Sequence, residues 1–252
     1  MDFTSKIILV TGAARGIGRA TAEAFARLGG TVAVHYHTSR KQAEHLVETL
    51  PEKNHRAFCA DLTESADCEK LIYEVVRQYG RLDVLVNNAG IYEVKPLKNL
   101  NYAGWQQTWT NTLAANLIAP ANLCFLAAKV MMKQNSGKII NISSRGAFRG
   151  EPDAPAYGAA KAGLNQLSQS LAQALAPHSI FVGVVAPGFV RTNMAVELLD
   201  GPQGEAIRAQ SPLGRVATPE EIAEAVVRLA ADGMMSATGC ILDVNGASYL
   251  RS

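Results

Sequence analysis

Two hydrophobic rhythms divide this chain. Short, nearly continuous apolar runs appear at Lys6 to Val10, Thr31 to Tyr36, Arg56 to Ala60, Leu82 to Val86, Lys138 to Ile142, Ile180 to Val185 and Cys240 to Val244. Runs of that length, closed by Gly, Asn, Asp or Pro, predict buried strands. Segments of helical period lie between them: Gly16 to Leu28, stopped by Gly29-Gly30, then Arg40 to Leu50, about Glu64 to Tyr79, about Tyr102 to Gln134, and Tyr157 to Ala176. Pro120 is expected to kink the longest of these. Thr218-Pro-Glu-Glu opens a last helix with N-cap and first-turn signals. Strand and helix alternate throughout. That order predicts an α/β fold with a parallel sheet covered on both faces and a site at the carboxyl ends of the strands. No composition shift marks a boundary, so residues 1–252 are expected to form a single domain.

Composition narrows the classes. The chain has 252 residues, 48% hydrophobic and 18% charged, with a net charge of +2. This balance predicts neither a nucleic-acid stripe nor an acidic partner. The most apolar long run, Leu113 to Met132, carries Asn116, Pro120, Asn122 and Lys129, which argues for a buried helix over a membrane span. Cys59, Cys68, Cys124 and Cys240 lack metal spacing and read as reduced thiols. The opening Met-Asp-Phe-Thr-Ser-Lys shows no signal-peptide pattern. A cytoplasmic location is the expectation.

Two stretches carry candidate chemistry. Thr11-Gly-Ala-Ala-Arg-Gly-Ile-Gly18 joins the first strand to the first helix. Gly12 permits a tight turn, Gly16 and Gly18 clear space, and the helix N-terminus offers N–H groups to a phosphate. In the second stretch, Tyr157 and Lys161 stand one turn apart on a helix, so both project from one face. An ammonium beside a phenol is expected to lower the phenol pKa and make it a proton donor and acceptor. Ser144 arrives from the end of the fifth strand with a hydroxyl for the same oxygen. Ser143 is its rival and is expected to support the strand end.

These motifs, with Asp61-Leu62, Asn87-Asn-Ala-Gly90, Asn116 and Pro187-Gly188, resemble the short-chain dehydrogenase/reductase family, near its 3-oxoacyl-carrier-protein-reductase-like and ketoreductase branch. The resemblance runs over essentially the whole chain. It implies a Rossmann-type doubly wound sheet of about seven strands and hydride transfer between a nicotinamide and a carbonyl or secondary alcohol. It implies that Tyr157 handles the proton, Ser144 binds the substrate oxygen, Lys161 tunes Tyr157 and holds ribose, and Asn116 holds a water linking Lys161 to solvent. Gly12, Arg15, Gly16, Ile17 and Gly18 take the cofactor phosphates by the same analogy. Asp61 and Leu62 meet adenine, and Asn88, Ala89 and Gly90 pass along the ribose. Pro187, Gly188, Val190 and Thr192 hold the nicotinamide side. The second strand ends in His35-Tyr-His-Thr-Ser-Arg40, without the Asp or Glu that would accept from an NAD ribose. His37, Thr38 and Ser39 match positions that hold a 2′-phosphate in similar reductases, and Arg15 and Arg40 offer charge. NADP(H) is therefore expected ahead of NAD(H).

Several matters stay open at this level. The resemblance implies a small carbonyl or alcohol substrate without saying which. The 145–156 loop, with Arg145, Arg149, Glu151 and Asp153, reads either as a polar substrate wall or as an ion-paired surface loop, the latter preferred. Phe189, Met194, Leu198 and Leu199 read as an apolar lid, within about 189–215, or as core cover. Asn135 and His178 stand where carrier-protein reductases tend to hold basic docking residues, and Gly183 where relatives commonly have Asn. A sugar- or polyol-type dehydrogenase, or a non-catalytic dinucleotide-binding sensor or subunit, is the alternative. Relatives are usually homotetramers paired through the long helices and the C-terminal strands.

Overall fold

The computed structural model describes residues 1–52, 54–192 and 195–251. Among these, seven parallel strands form one sheet in the order β3-β2-β1-β4-β5-β6-β7. They are β1 (Ile7–Val10), β2 (Thr31–Tyr36), β3 (Arg56–Cys59), β4 (Val84–Asn87), β5 (Gly137–Ile142), β6 (Ile180–Pro187) and β7 (Ile241–Val244). The chain runs outward from β1 to β3, returns to place β4 on the other side of β1, and then runs outward again. Consecutive crossovers diverge at that point and open a crevice above the carboxyl ends of β1 and β4.

Side-chain parity explains why the strands are apolar without alternation. Ile8 and Val10 of β1, Val84 and Val86 of β4, and Phe181 and Val185 of β6 face one layer. That layer is built on α1 (Gly16–Arg27) and α9 (Pro219–Ala230), with Leu46 of α2 (Arg40–Thr49). Ile7, Leu9, Leu85 and Val182 face the other layer, with α3 (Ser65–Tyr79), α5 (Ala119–Gln134) and α6 (Pro155–Leu175). Burying each Leu- or Ile-sized side chain stabilises the fold by roughly 1.5–3 kcal/mol, so both faces must be apolar. The last helix is set by a capping box: the Thr218 hydroxyl accepts from Glu221 N–H, and the Glu221 carboxylate accepts from Thr218 N–H at 2.9 Å.

One expectation is corrected, and two open features gain a structural account. The helix over 102–134 is not one kinked rod. It consists of α4 (Tyr102–Leu113), a π-helical turn at Ala114–Ile118, and α5. Pro120 lies in the first turn of α5, where no helical N–H bond is needed, so the irregularity precedes the proline. This run of 33 residues is long and apolar enough to cross a membrane, with a mean hydropathy of 1.5 in its most apolar window. Here its Leu123, Cys124, Ala127 and Met131 are buried in the core. Secondly, the segment of about 189–215 contains two short helices, α7 (Val196–Asp200) and α8 (Gly204–Arg208). Thirdly, the unusual Gly183 is a packing requirement. A Cβ there would fall 2.6 Å from the Phe181 ring.

Candidate active site

The crevice is a cavity of about 480 Å³ that runs from the α1 N-terminus to the start of α6. At one end Gly12 and Gly16 take positive φ angles of 62° and 56°, which L side chains rarely adopt. Gly18 does not line the cavity. It lies where the loop crosses itself, and a Cβ there would stand 2.3 Å from the Gly12 carbonyl oxygen. The Thr11 hydroxyl donates to Val86 O and accepts from Asn88 N–H and Ala89 N–H at 2.9 and 3.0 Å. The Asn88 amide returns a bond of 2.8 Å to Thr11 O. Asn88 thus works as scaffold, locking the β4 end onto the glycine loop.

His35 completes that scaffold, and the sequence reading passed over it. It is buried in β2, accepts from Gly12 N–H at Nδ1 (3.0 Å), and lies 3.1 Å from Ala60 O at Nε2. A backbone N–H only donates, so Nδ1 must be bare and Nε2 must carry the proton. Burial pushes its pKa down to about 4, which keeps it neutral. The available signal was a polar residue inside an otherwise apolar strand.

The first turn of α1 carries no acidic residue, and Arg15 at its N-cap makes no capping bond. Its N–H groups and positive dipole end therefore face the cavity beside Gly16 and Ile17. Arg15 is exposed at the rim, and His37, Thr38, Ser39, Asp61 and Leu62 line the adjoining wall. His37 Nε2 stands 3.6 Å from the Asp61 carboxylate. Arg40 does not join them: it pairs with Glu44 at 2.7 Å on the α2 surface, and its expected anion contact is corrected accordingly. Free N–H groups, close glycine backbone and a cationic rim fit a phosphorylated dinucleotide.

Ser144, Tyr157 and Lys161 meet in the far half of the cavity. Ser143 points away, its hydroxyl 3.3 Å from Lys161 O, while Ser144 Oγ accepts from Gly146 N–H and stands within hydrogen-bonding influence of Tyr157. Lys161 Nζ donates to Ile142 O at 2.8 Å and lies 5.7 Å from the Tyr157 ring centroid. Tyr92, also unanticipated, packs edge-to-face on Tyr157 at 4.9 Å. The expected lowering of the phenol pKa is not found. Burial pushes Tyr157 up to about 12 against the opposing Ser144 hydroxyl, and burial pushes Lys161 down to about 8. Desolvation disfavours the charged form of each group, so at neutral pH Tyr157 is a protonated donor.

Asn116 is fully buried in the π-helical turn. Its amide accepts from Ile91 N–H at 3.0 Å and donates to Ile91 O at 2.9 Å. These bonds pin the chain beside Gly90, where a Cβ would strike Asn116 Oδ1. Ala89 and Gly90 line the cavity on this side; Pro187, Gly188, Val190 and Thr192 close the other. The ion-paired reading of the 145–156 loop is also corrected. Arg145 is buried, Arg149 and Glu151 are half-buried, and none of the four charged residues forms an ion pair among the described residues. Phe189 and Leu198 line the cavity, Leu199 packs inside, and Met194 lies outside the described residues.

Comparisons with known proteins agree with this geometry. A family model described as enoyl-(acyl carrier protein) reductase matches residues 12–247. The chain is 39% identical over 250 residues to the 3-oxoacyl-(acyl-carrier-protein) reductase FabG of Escherichia coli (strain K12), covering 99% of this chain and 100% of that one. Among solved structures, a dehydrogenase/reductase from Sinorhizobium meliloti 1021 superposes with a TM-score of 0.88 at 32% identity, covering 99% and 97% of the two chains. A putative gluconate dehydrogenase from Agrobacterium tumefaciens gives 0.91 at 29% identity, covering 98% and 97%.

Proposed function

The chain belongs to the short-chain dehydrogenase/reductase family and is an oxidoreductase, and from that premise we propose that it is an NADP(H)-preferring reductase of a small carbonyl compound with Tyr157 as general acid. The observation that carries this reading is the convergence of Ser144, Tyr157 and Lys161 in the same cavity as the uncapped N-terminus of α1. NADPH, when bound, supplies a hydride from its nicotinamide ring. The substrate oxygen accepts hydrogen bonds from Ser144 and Tyr157. As the carbonyl carbon takes the hydride, its π pair moves to oxygen, which removes the Tyr157 proton. The Lys161 ammonium then stabilises the phenolate. A phenol that burial holds above its ordinary pKa is protonated near neutrality, which favours reduction, and alcohol oxidation should accelerate towards alkaline pH.

Asn116, through its bonds to Ile91, holds the segment beside Gly90 and Lys161 and acts as a positioning residue. His37, Thr38 and Ser39 with Arg15 receive the 2′-phosphate. We place the whole chain in one domain with a lid over about 189–215, in a cytoplasmic homotetramer; exposed Ile118 and Phe125 on the long helical run supply apolar contact. NADPH oxidation over a panel of ketones, oxo-acids, thioesters and keto-sugars, with NADH in parallel, tests the assignment. Turnover that survives Tyr157→Phe, or equal efficiency with NADH, overturns the corresponding part. Light scattering that returns a monomer mass at micromolar concentration overturns the tetramer.

A further inference from the structure

Arg145 follows Ser144 directly and its side chain enters the substrate half of the cavity. It is only 5% exposed. One terminal nitrogen donates to Ser248 Oγ at 2.7 Å and the other to Gln210 Oε1 at 2.6 Å. The guanidinium lies over the Phe189 ring, 4.9 Å from its centroid. Both acceptors are neutral. Among the described residues no carboxylate comes within ion-pair distance of it.

A surface arginine without an anion needs no explanation, but a buried one does. Its desolvation is offset here by two neutral acceptors and one ring face, and most N–H groups of the guanidinium fork remain unused. Glu151 is the carboxylate nearest in the chain that lines the same cavity. It stands on the Gly146 side, unpaired with Arg145, and burial shifts its pKa upward against the pull of Arg149 and Arg145. Arg149, half-buried on the same loop, does not line the cavity, so Arg145 is the cation of this wall. The remaining wall is aromatic or aliphatic: Tyr92, Phe189 and Leu198.

We propose that Arg145 is the anion subsite of the substrate pocket and that the substrate is an oxo- or hydroxy-carboxylate whose carboxylate pairs with the guanidinium while its oxo or hydroxyl group meets Ser144 and Tyr157. This rests on the oxidoreductase reading of the same site. A planar carboxylate matches two N–H groups of the fork, and a single negative charge is what one buried guanidinium neutralises. Gln210 and Ser248 hold that fork from the lid segment and the C-terminal segment, so the subsite is ready before the ligand arrives.

The test compares short 2-, 3- and 4-oxo-carboxylates with their methyl esters. The readout is the ratio of kcat/KM for acid over ester, which cancels any loss common to both. The wild type should prefer the best acid by about 100-fold or more, since a charge-assisted pair in a dry site discriminates strongly. Arg145→Gln should reduce that ratio below about tenfold, and Arg145→Lys should restore part of it. A wild-type ratio near one, or one that survives Arg145→Gln, overturns the proposal. If the glutamine variant fails to fold, the wild-type ratio and the lysine variant still decide. Should the wild type reduce neither acid nor ester but turn over another carbonyl of the wider panel, the oxo-carboxylate substrate is overturned; should it reduce no carbonyl at all, the reductase reading has failed. Calorimetric titration of the same compounds into protein loaded with oxidised cofactor then judges the subsite alone. Acid binding tighter than ester binding, lost on substitution, supports it, and equal binding overturns it.

Discussion

The two halves of the cavity are built differently. The dinucleotide half sits on the ends of β1, β2 and β4, where backbone register sets the positions: Leu9 pairs with Ala33 and with Leu85, so Thr11, His35 and Asn87 end level, and Asn88 follows at once to bond Thr11. The far wall of the substrate half has no such register. It is tied by Arg145 to Ser248 and by the Tyr249 hydroxyl to Phe148 O at 3.1 Å, contacts that span 103 and 101 residues. Strand ends inherit geometry from the sheet, whereas the loop wall must be packed into place. The first half can therefore serve many substrates unchanged, and the second carries the specificity.

Tyr157 carries the proton in the substrate half, so its loss should be the largest single effect. Tyr157→Phe should lower kcat by ~10²–10⁴ while cofactor affinity, measured by fluorescence titration, stays near wild type. A parallel loss of affinity would show that the phenol also organises the dinucleotide half and would blur the division.

The next largest effect concerns the scaffold itself. His35 is held neutral with its pKa near 4, while the unfolded chain titrates near 6.5. Between those values the unfolded state binds a proton that the native state refuses. Stability therefore rises with pH through this window and falls as pH drops from about 6.5 towards about 4. The His35 contribution to that loss should be about 2 kcal/mol by pH 5 and on the order of 3 kcal/mol by pH 4. Asp61, which favours the charged form, and His37, which opposes it, are the charges that act on the ring. Protonation would also abolish the acceptor for Gly12 N–H. Urea midpoints at pH 7.5, 6 and 5 should fall more steeply for wild type than for His35→Gln. Equal slopes would remove His35 from the scaffold.

The same division explains what was legible in the sequence. Strand and helix order, the glycine loop, and Tyr157 with Lys161 were legible because each is a local pattern or a fixed spacing along one element. The lining residues at the strand ends followed from the resemblance and the topology. His35 was missed because one polar residue in a strand does not say which backbone groups it will meet. Arg145 was read towards the surface because charge alone does not report burial: its cover comes from Phe189, Gln210 and Ser248, far along the chain. The phenol pKa was expected to fall because the pattern shows the neighbouring cation but not the desolvation that both groups undergo. A break at Asn116 followed from the resemblance, and the π-helical turn lies there; that it is π-helical had no readable signature, Pro120 lying just after it.

Gly18 measures how tightly the dinucleotide half is made. Gly18→Ala would place a methyl 2.3 Å from Gly12 O and 2.5 Å from the Asn88 amide nitrogen. Overpacking of this kind costs about 1–3 kcal/mol. Gly80→Ala, with φ +78° but nothing within 4 Å, should cost only the backbone strain of about 1 kcal/mol. The Gly18 variant should lose cofactor affinity along with thermal stability, and the Gly80 variant stability alone. If both lost only stability, the loop crossing would be ordinary packing.

Arg15 should give a small effect, and it tests the edge of the contrast. It sits at the rim of the preformed half, exposed and without an ion pair among the described residues. A solvated cation facing a 2′-phosphate contributes far less than a buried one, and salt screens it. Arg15→Ala should reduce the NADPH-over-NADH ratio of kcat/KM by about tenfold at low ionic strength, near 1.4 kcal/mol, and by less at 0.5 M salt. His37, Thr38 and Ser39 would carry what preference remains. A loss that ignores salt would mean that Arg15 closes over the ligand and becomes buried, making this rim a moving part like the substrate wall. An unchanged ratio would place cofactor choice wholly on the three residues after β2.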